Sequence, residues 1–246
     1  MNLYSIPPLI TSCIFILFAL MVFVKNHKSM ANISYVIFAL LTVWWQGAWA
    51  ILFNIHDEHT AYIVAKVGYS GIIFLTVAYY HSVVEFLNER SHRKLVFFFY
   101  LTGVFFLIMN WTSNSFISGV YSHGWGFYPK AGILHPIYLL CVGCEIFFAS
   151  YLLYRRMKQR ISPIDYNQCK YIFLINSIYS LAAVDFFINY GANFYPFGFI
   201  PVLISAFIFA YAISKHHILD IFVIYLFLRG LLKLFALLRM EPMYAR

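Results

Sequence analysis

Residues 132–160 read GILHPIYLLCVGCEIFFASYLLYRRMKQR: an apolar run broken by the single acid Glu145, then Arg155, Arg156, Lys158 and Arg160. The hydrocarbon core of a bilayer takes about 20 apolar residues in helical form, because only a helix satisfies its own backbone polar groups without water. Residues 132–154 meet that length, and the basic cluster marks where the chain leaves the membrane. The same pattern recurs at 3–24, 33–55, 61–87, 95–111, 169–190 and 196–214. With 63% apolar residues, 11% charged and a mean hydropathy of +0.77, the composition excludes a soluble domain of this length. The reading is an all-α polytopic membrane protein, a seven-helix transmembrane bundle.

The basic residues orient it. With the N-terminus outside, the loops 25–32, 88–94 and 155–168 and the C-terminal segment face the cytoplasm. Of 17 basic residues only Lys66 and Lys130 then fall outside, leaving 15 within, as the positive-inside bias requires. The net charge of +8 is accounted for by this bias and by contact with membrane lipid, not nucleic acid. The first span lacks a basic start and a small-residue cleavage site, so it is expected to stay as a helix. Cys13, Cys141, Cys144 and Cys169 lie in or beside spans, where no disulfide is expected. Cys141 and Cys144 read as buried packing residues. Trp44, Trp45, Trp49, Trp111, Trp125, Tyr128, Tyr190 and Tyr195 read mainly as an interfacial belt.

Polar groups within spans are costly unless partnered, which makes each a candidate site. Glu145 is either a structural partner of His81 or Gln46 or a protonatable coupling residue. His81 and Glu85, four apart near the inner end of span three, are either a latch or part of the same coupling path. Asp185 and Asn189 share a face near the outer end of span six, and Asn193 follows; they form either a ligand site or an interhelical network. The outer loop 112–131 contains GVYSHGWGFYP at 119–129. Its length and its Tyr121, His123, Trp125 and Tyr128 suggest a lid over the bundle mouth, with Lys66 and Lys130 beside it to attract anions, or else a loop lying on lipid. His56, Asp57, Glu58 and His59 lack the ligand spacing of a metal site and read as a solvated loop. Span seven holds no central lysine for a retinal Schiff base, and no phosphate loop, catalytic triad or zinc motif is present. No metal and no cofactor is expected.

The second half carries a resemblance. Arg155-Arg156 and Arg160 are followed by Asn167-Gln168-Cys169-Lys170-Tyr171, then Asp185 and Asn189, then Tyr195-Pro196-Phe197-Gly198. Ala210-Tyr211-Ala212-Ile213 then runs into His217-Ile218-Leu219-Asp220-Ile221. This order resembles the N-terminal seven-helix sensor region of prokaryotic membrane histidine kinases, over residues 5–221 and most specifically 195–221. The resemblance implies a non-catalytic receptor for an unidentified stimulus in the cytoplasmic membrane, coupled to a kinase output and expected as a homodimer. On that reading Asp185, Asn189, Asn193, His123, Trp125, Tyr128 and Lys66 are candidates for reception. Glu145, His81 and Glu85 are candidates for intramembrane coupling, and Tyr211, Ile213, Leu219 and Asp220 for output.

Residues 1–221 would form the sensor domain. Residues 222–246, with Arg229 and Lys233 four apart in a very apolar run, are expected as a basic amphipathic helix on the inner leaflet. An eighth crossing and a shifted reading frame are the alternatives. No kinase core follows residue 221, so the chain is not expected to be an enzyme and would act through a separate histidine kinase or other signalling protein. A small transporter or permease, and a truncated remnant of a sensor kinase, are the competing readings.

Overall fold

The computed structural model describes residues 2–25, 27–159 and 162–216. The 222–246 tail, Leu219 and Asp220 lie outside the described residues. The helices are α1 (Ile6–Lys25), α2 (Met30–Leu52), α3 (Glu58–Phe86), α4 (Arg93–Thr112), α5 (His135–Lys158), α6 (Pro163–Tyr179) and α7 (Phe199–His216). Short 3-10 turns precede α1 and α4, and an 11-residue 3-10 segment, Ser180–Tyr190, continues α6. Six of these units are long and apolar enough to cross a bilayer, with the apolar part of α7, Phe199–Ala212, shorter. The segment 112–131, expected as a loop or lid in an all-α protein, instead forms an antiparallel hairpin of β1 (Ile117–His123) and β2 (Gly126–Ala131).

Consecutive helices run up and down. In the bundle α1, α2, α3, α5, α6 and α7 form a closed ring, each touching the next, and α7 returns to α1. The central element is α3, which also touches α4 and both strands. One end of the bundle carries the hairpin and the other carries Arg90, Arg93, Arg155, Arg156 and Lys158.

Two of the helices, α3 and α6, begin where a short polar side chain satisfies a free backbone amide. Asp57 accepts from Thr60 N at 2.7 Å to cap α3; hydrogen bonds from Thr60 hold its exposed carboxyl below the usual range. Ser162 caps α6 by accepting from Asp165 N at 3.1 Å, and Pro163 supplies a first helical residue that needs no N–H.

Which face turns inward is set by packing. In α5 the buried residues His135, Tyr138, Val142, Glu145, Ala149 and Leu152 recur every three or four positions, while Leu140 and Phe147 on other faces are 71% and 63% exposed. Large exposed apolar side chains mark a surface made for hydrocarbon and not for water. Lipid is as apolar as the core, so helices associate through close packing of small residues. Ala61, Ala65 and Gly68 of α3 are such a stripe: the two alanines are fully buried, and a Cβ on Gly68 would overlap Trp49 Cζ3 and lie 3.0 Å from Ala48 Cβ. Cys144 is exposed and Cys141 half-buried, which corrects the expectation that this pair packs inside. All four thiols are free.

Two glycines therefore have opposite expected responses. Gly68→Val should cost about 1–3 kcal/mol by overpacking and lower the thermal midpoint in detergent. A Cβ on Gly143 would have nothing within 4 Å, so Gly143→Ala should gain about 0.5–1 kcal/mol. Circular-dichroism melts of both variants check the assignment of the two faces.

Candidate functional site

The hairpin does not float over the bundle; it is seated in it. Phe116 and Ile117 at its base are fully buried, and Trp125 and Tyr128 are 7% and 2% exposed. His123 pairs with Gly126 across the two-residue loop Gly124-Trp125, with Gly126 at φ +140°, a conformation glycine tolerates without penalty. The His123 and Trp125 rings stack at 4.6 Å and 11°. Trp125 then meets Phe53, Tyr128 and Tyr195 edge-on at 5.5–5.9 Å. Burial drives the Tyr128 hydroxyl well above its ordinary titration range, and that of Tyr195 to about 12. Both are neutral hydrogen-bonding groups at any physiological pH.

Three bonds tie the hairpin to the stretch between α6 and α7. His123 Nδ1 lies 2.9 Å from Asn193 Oδ1, Asn189 Nδ2 donates to Pro129 O at 2.9 Å, and the Tyr128 hydroxyl donates to Asp185 O at 3.3 Å. The Asp185 carboxylate makes a separate contact: its Oδ1 and Oδ2 each accept from Gly198 N at 3.0 Å. Gly198 directly precedes α7, so a buried carboxylate holds the first free amide of that helix, the end where the helix dipole favours negative charge. The approach leaves no room for a side chain, since a Cβ on Gly198 would collide with Asp185 Oδ2.

The 3-10 winding around Asp185 follows two serines bonded back to the preceding turn. Ser177 Oγ donates to Phe173 O at 2.9 Å and Ser180 Oγ to Asn176 O at 2.5 Å, and such bonds compete for the carbonyls of the α-helical ladder. A 3-10 run of this length is uncommon and marks a place where the helix is held by its surroundings. Gly191, at φ +98°, ends it.

Six of the seven reception candidates thus join one connected cluster: Asp185, Asn189, Asn193, His123, Trp125 and Tyr128. Lys66 does not. It is 8% exposed, with Nζ 3.4 Å from Ser113 O and 4.6 Å from the Tyr62 ring centre, on the side of α3 that faces α4. Lys130 lies over the Tyr121 ring at 5.5 Å. Lys66 is thus buried away from the cluster, whereas Lys130 is exposed.

The coupling candidates separate into two places. Glu145, 4% exposed, accepts a hydrogen bond from the Thr76 hydroxyl, so its partner is neither His81 nor Gln46. Glu85 instead takes Arg93 in a two-point pair, both distances 2.9 Å, with His81 Nε2 at 3.8 Å. Together with Arg155–Glu89 at 2.6 Å, this group fastens the basic ends of α3, α4 and α5. It reads as a latch, in line with its place at the membrane boundary. Of the output candidates, Tyr211 is 46% exposed and packs on the Tyr171 ring at 5.7 Å; Ile213 lies within α7.

Beneath the hairpin lies a cavity of about 70 Å³, walled by Trp45, Trp49, Tyr69, Tyr128, Tyr138 and Asp185 among others. A second, also of about 70 Å³, lies toward the basic end beside Tyr35, Phe86, Ser205 and Phe209. Phe38, Tyr79 and Tyr179 belong to both walls, with the Phe38 ring 5.3 Å and 5.2 Å from the other two and the Tyr179 hydroxyl 3.0 Å from Thr42 Oγ1.

Several of these parts escape a sequence reading. Trp45 and Trp49 line the interior instead of the belt. His135 is fully buried, with Nε2 at 2.9 Å from the Tyr69 hydroxyl and Nδ1 at 2.8 Å from that of Tyr190; its place on the same stripe as Glu145 was the available signal. Asn2 donates through Nδ2 to Phe53 O and Trp125 O at 2.7 and 2.9 Å, pinning the hairpin tip to the α2–α3 turn. Nothing in its sequence setting announces this. Asn2→Ala should therefore speed amide exchange across 119–127 severalfold while leaving α5 unchanged, as read by hydrogen-exchange mass spectrometry.

Comparison with known proteins returned no match among curated sequences. The family model describing the N-terminal 7TM region of histidine kinase matches residues 7–222. That match covers both the buried cluster around Asp185 and the helix it caps, and by it the chain belongs to the family of N-terminal seven-transmembrane regions of histidine kinases.

Proposed function

We propose that this multi-pass membrane protein is a sensory input module. In this reading the hairpin end faces outward and detects the stimulus, and displacement of α7 carries the signal to the cytoplasmic side. The observation that carries the proposal is the Asp185–Gly198 contact. The same short segment that receives the hairpin, through Pro129–Asn189 and Tyr128–Asp185, also holds the first amide of α7. A change in how the hairpin sits therefore acts directly on the start of the output helix. Such a relay needs a stimulus that favours one packing over the other, since equal binding to both shifts nothing.

The family supports the input role and its lack of catalysis. The distribution of basic residues supports an N-terminus outside the cytoplasmic membrane of a prokaryote. The signal would pass to a separate histidine kinase or other signalling protein, through helix contact in the membrane and in a homodimer. Tyr211, Ile213 and the segment through Leu219 and Asp220 would make that contact.

The relay is testable without knowing the stimulus. Asn189→Ala removes the bond to Pro129 and should loosen the hairpin. If the segment is a relay, amide exchange should rise in 199–212 as well as in 117–131, in whole chain held in lipid nanodiscs. Exchange confined to the hairpin would remove the proposal. The two cavities in series, divided by Phe38, Tyr79 and Tyr179, are what favours the second reading, a small transporter. It requires solute flux into proteoliposomes that Glu145→Gln abolishes; flux unaffected by that change, or none, leaves the sensor.

A further inference from the structure

The outer cavity has an unusual pairing of walls. Its lining is largely aromatic, including Trp45, Trp49, Tyr69, Tyr128 and Tyr138, and its charged member is Asp185. Thr76, which also lines it, holds the carboxyl of Glu145. Asp185 and Glu145 are 5% and 4% exposed, and among the described residues no lysine, arginine or histidine pairs with either. Carboxyls buried in a bundle are ordinarily matched by a cation. Lys66 is engaged elsewhere, at Ser113 and Tyr62, and Lys130 is exposed beside Tyr121.

The hydroxyls of the wall point the same way. Tyr128 donates to Asp185 O and Tyr138 to Ile72 O, so the hydrogens of both hydroxyls are taken up within the fold. Aromatic faces and oxygen acceptors around a carboxylate form a surface of negative potential, the arrangement that attracts a quaternary or primary ammonium. The cavity, at about 70 Å³, is several times the roughly 10–15 Å³ that holds a single water. Asp185 and Trp49 also line a separate, smaller recess with Pro8, Tyr195 and Pro196.

We propose that this cavity binds a small organic ammonium ion, with Asp185 as its counter-charge and Trp49 and the tyrosines as its cage. The proposal rests on the sensor reading and names the chemistry of its stimulus.

The test uses the whole chain in nanodiscs of phosphatidylglycerol, which carries no ammonium headgroup. Tetramethylammonium or choline chloride should raise the thermal midpoint saturably over matched sodium chloride, and 3,3-dimethylbutan-1-ol, the neutral analogue of choline, should not. Asp185→Asn keeps an oxygen to accept from Gly198 N while removing the charge, and should weaken choline at least tenfold. Trp49→Leu should weaken it severalfold without touching the α7 contact. Loss of the choline response on adding phosphatidylcholine would assign the same ammonium site to a lipid headgroup; its persistence would assign it to a free ion. Equal response to the neutral alcohol, no saturable response, or wild-type affinity in Asp185→Asn would overturn the proposal. Binding that leaves exchange in 199–212 unchanged would keep the site and remove the relay, whereas a relay without ammonium binding would do the reverse.

Discussion

A buried carboxylate accepting the amide that precedes a helix is the contact on which this structure turns. A helix leaves its first amides without partners, and inside a bilayer no water is present to satisfy them. Asp185 supplies an acceptor for Gly198 N from a different helical unit. The absence of a side chain at Gly198 lets it come close. The start of α7 is thereby fixed to the 3-10 segment, and that segment is in turn fixed to the hairpin by Asn189 and Tyr128. One polar contact thus links the segment that seats the hairpin to the start of α7.

The remaining architecture keeps that contact dry and in register. The α3 helix, with Ala61, Ala65 and Gly68 against α2, supplies the close central packing. Phe116, Ile117 and Trp125 shut the hairpin end. The basic end is held by Glu85–Arg93 and Glu89–Arg155. The arginines of both pairs are exposed while their carboxylates are partly buried; surface pairs are individually weak, but these join three helix ends. The two ends therefore differ in kind: an aromatic plug with buried hydrogen bonds at one, a solvated ion-pair belt at the other.

Much of this is legible in the sequence because bilayer thickness fixes span length. Spans expected at 33–55 and 132–154 appear as Met30–Leu52 and His135–Lys158. Interior faces are harder to read, since a lipid-facing Phe147 and a core-facing Val142 are alike in hydropathy. Only polar residues such as Glu145, Asp185 and Asn189 betray the inner side, and all three are buried in the bundle. The hairpin was hidden for a different reason. Tyr128 and Pro129 are buried in succession, so no two-residue alternation announces a strand, and its glycines and proline read as loop. Lys66 misleads because its charge suggests exposure; the Tyr62 ring and Ser113 carbonyl that receive it come from the fold.

The central claim, that the start of α7 and its far end move as one body, is most directly tested by a distance. Spin labels at positions 97 and 211, both exposed in the wild type, would report α7 against α4 in a cysteine-free chain in nanodiscs. Gly198→Ala places a methyl group against Asp185 Oδ2 and 3.0 Å from Ala182 O, so either the Asp185 side chain leaves its contact or the start of α7 shifts. The account requires a displaced distance distribution in Gly198→Ala and an unchanged one in Gly143→Ala. The same distribution in Gly198→Ala as in the parent would contradict it.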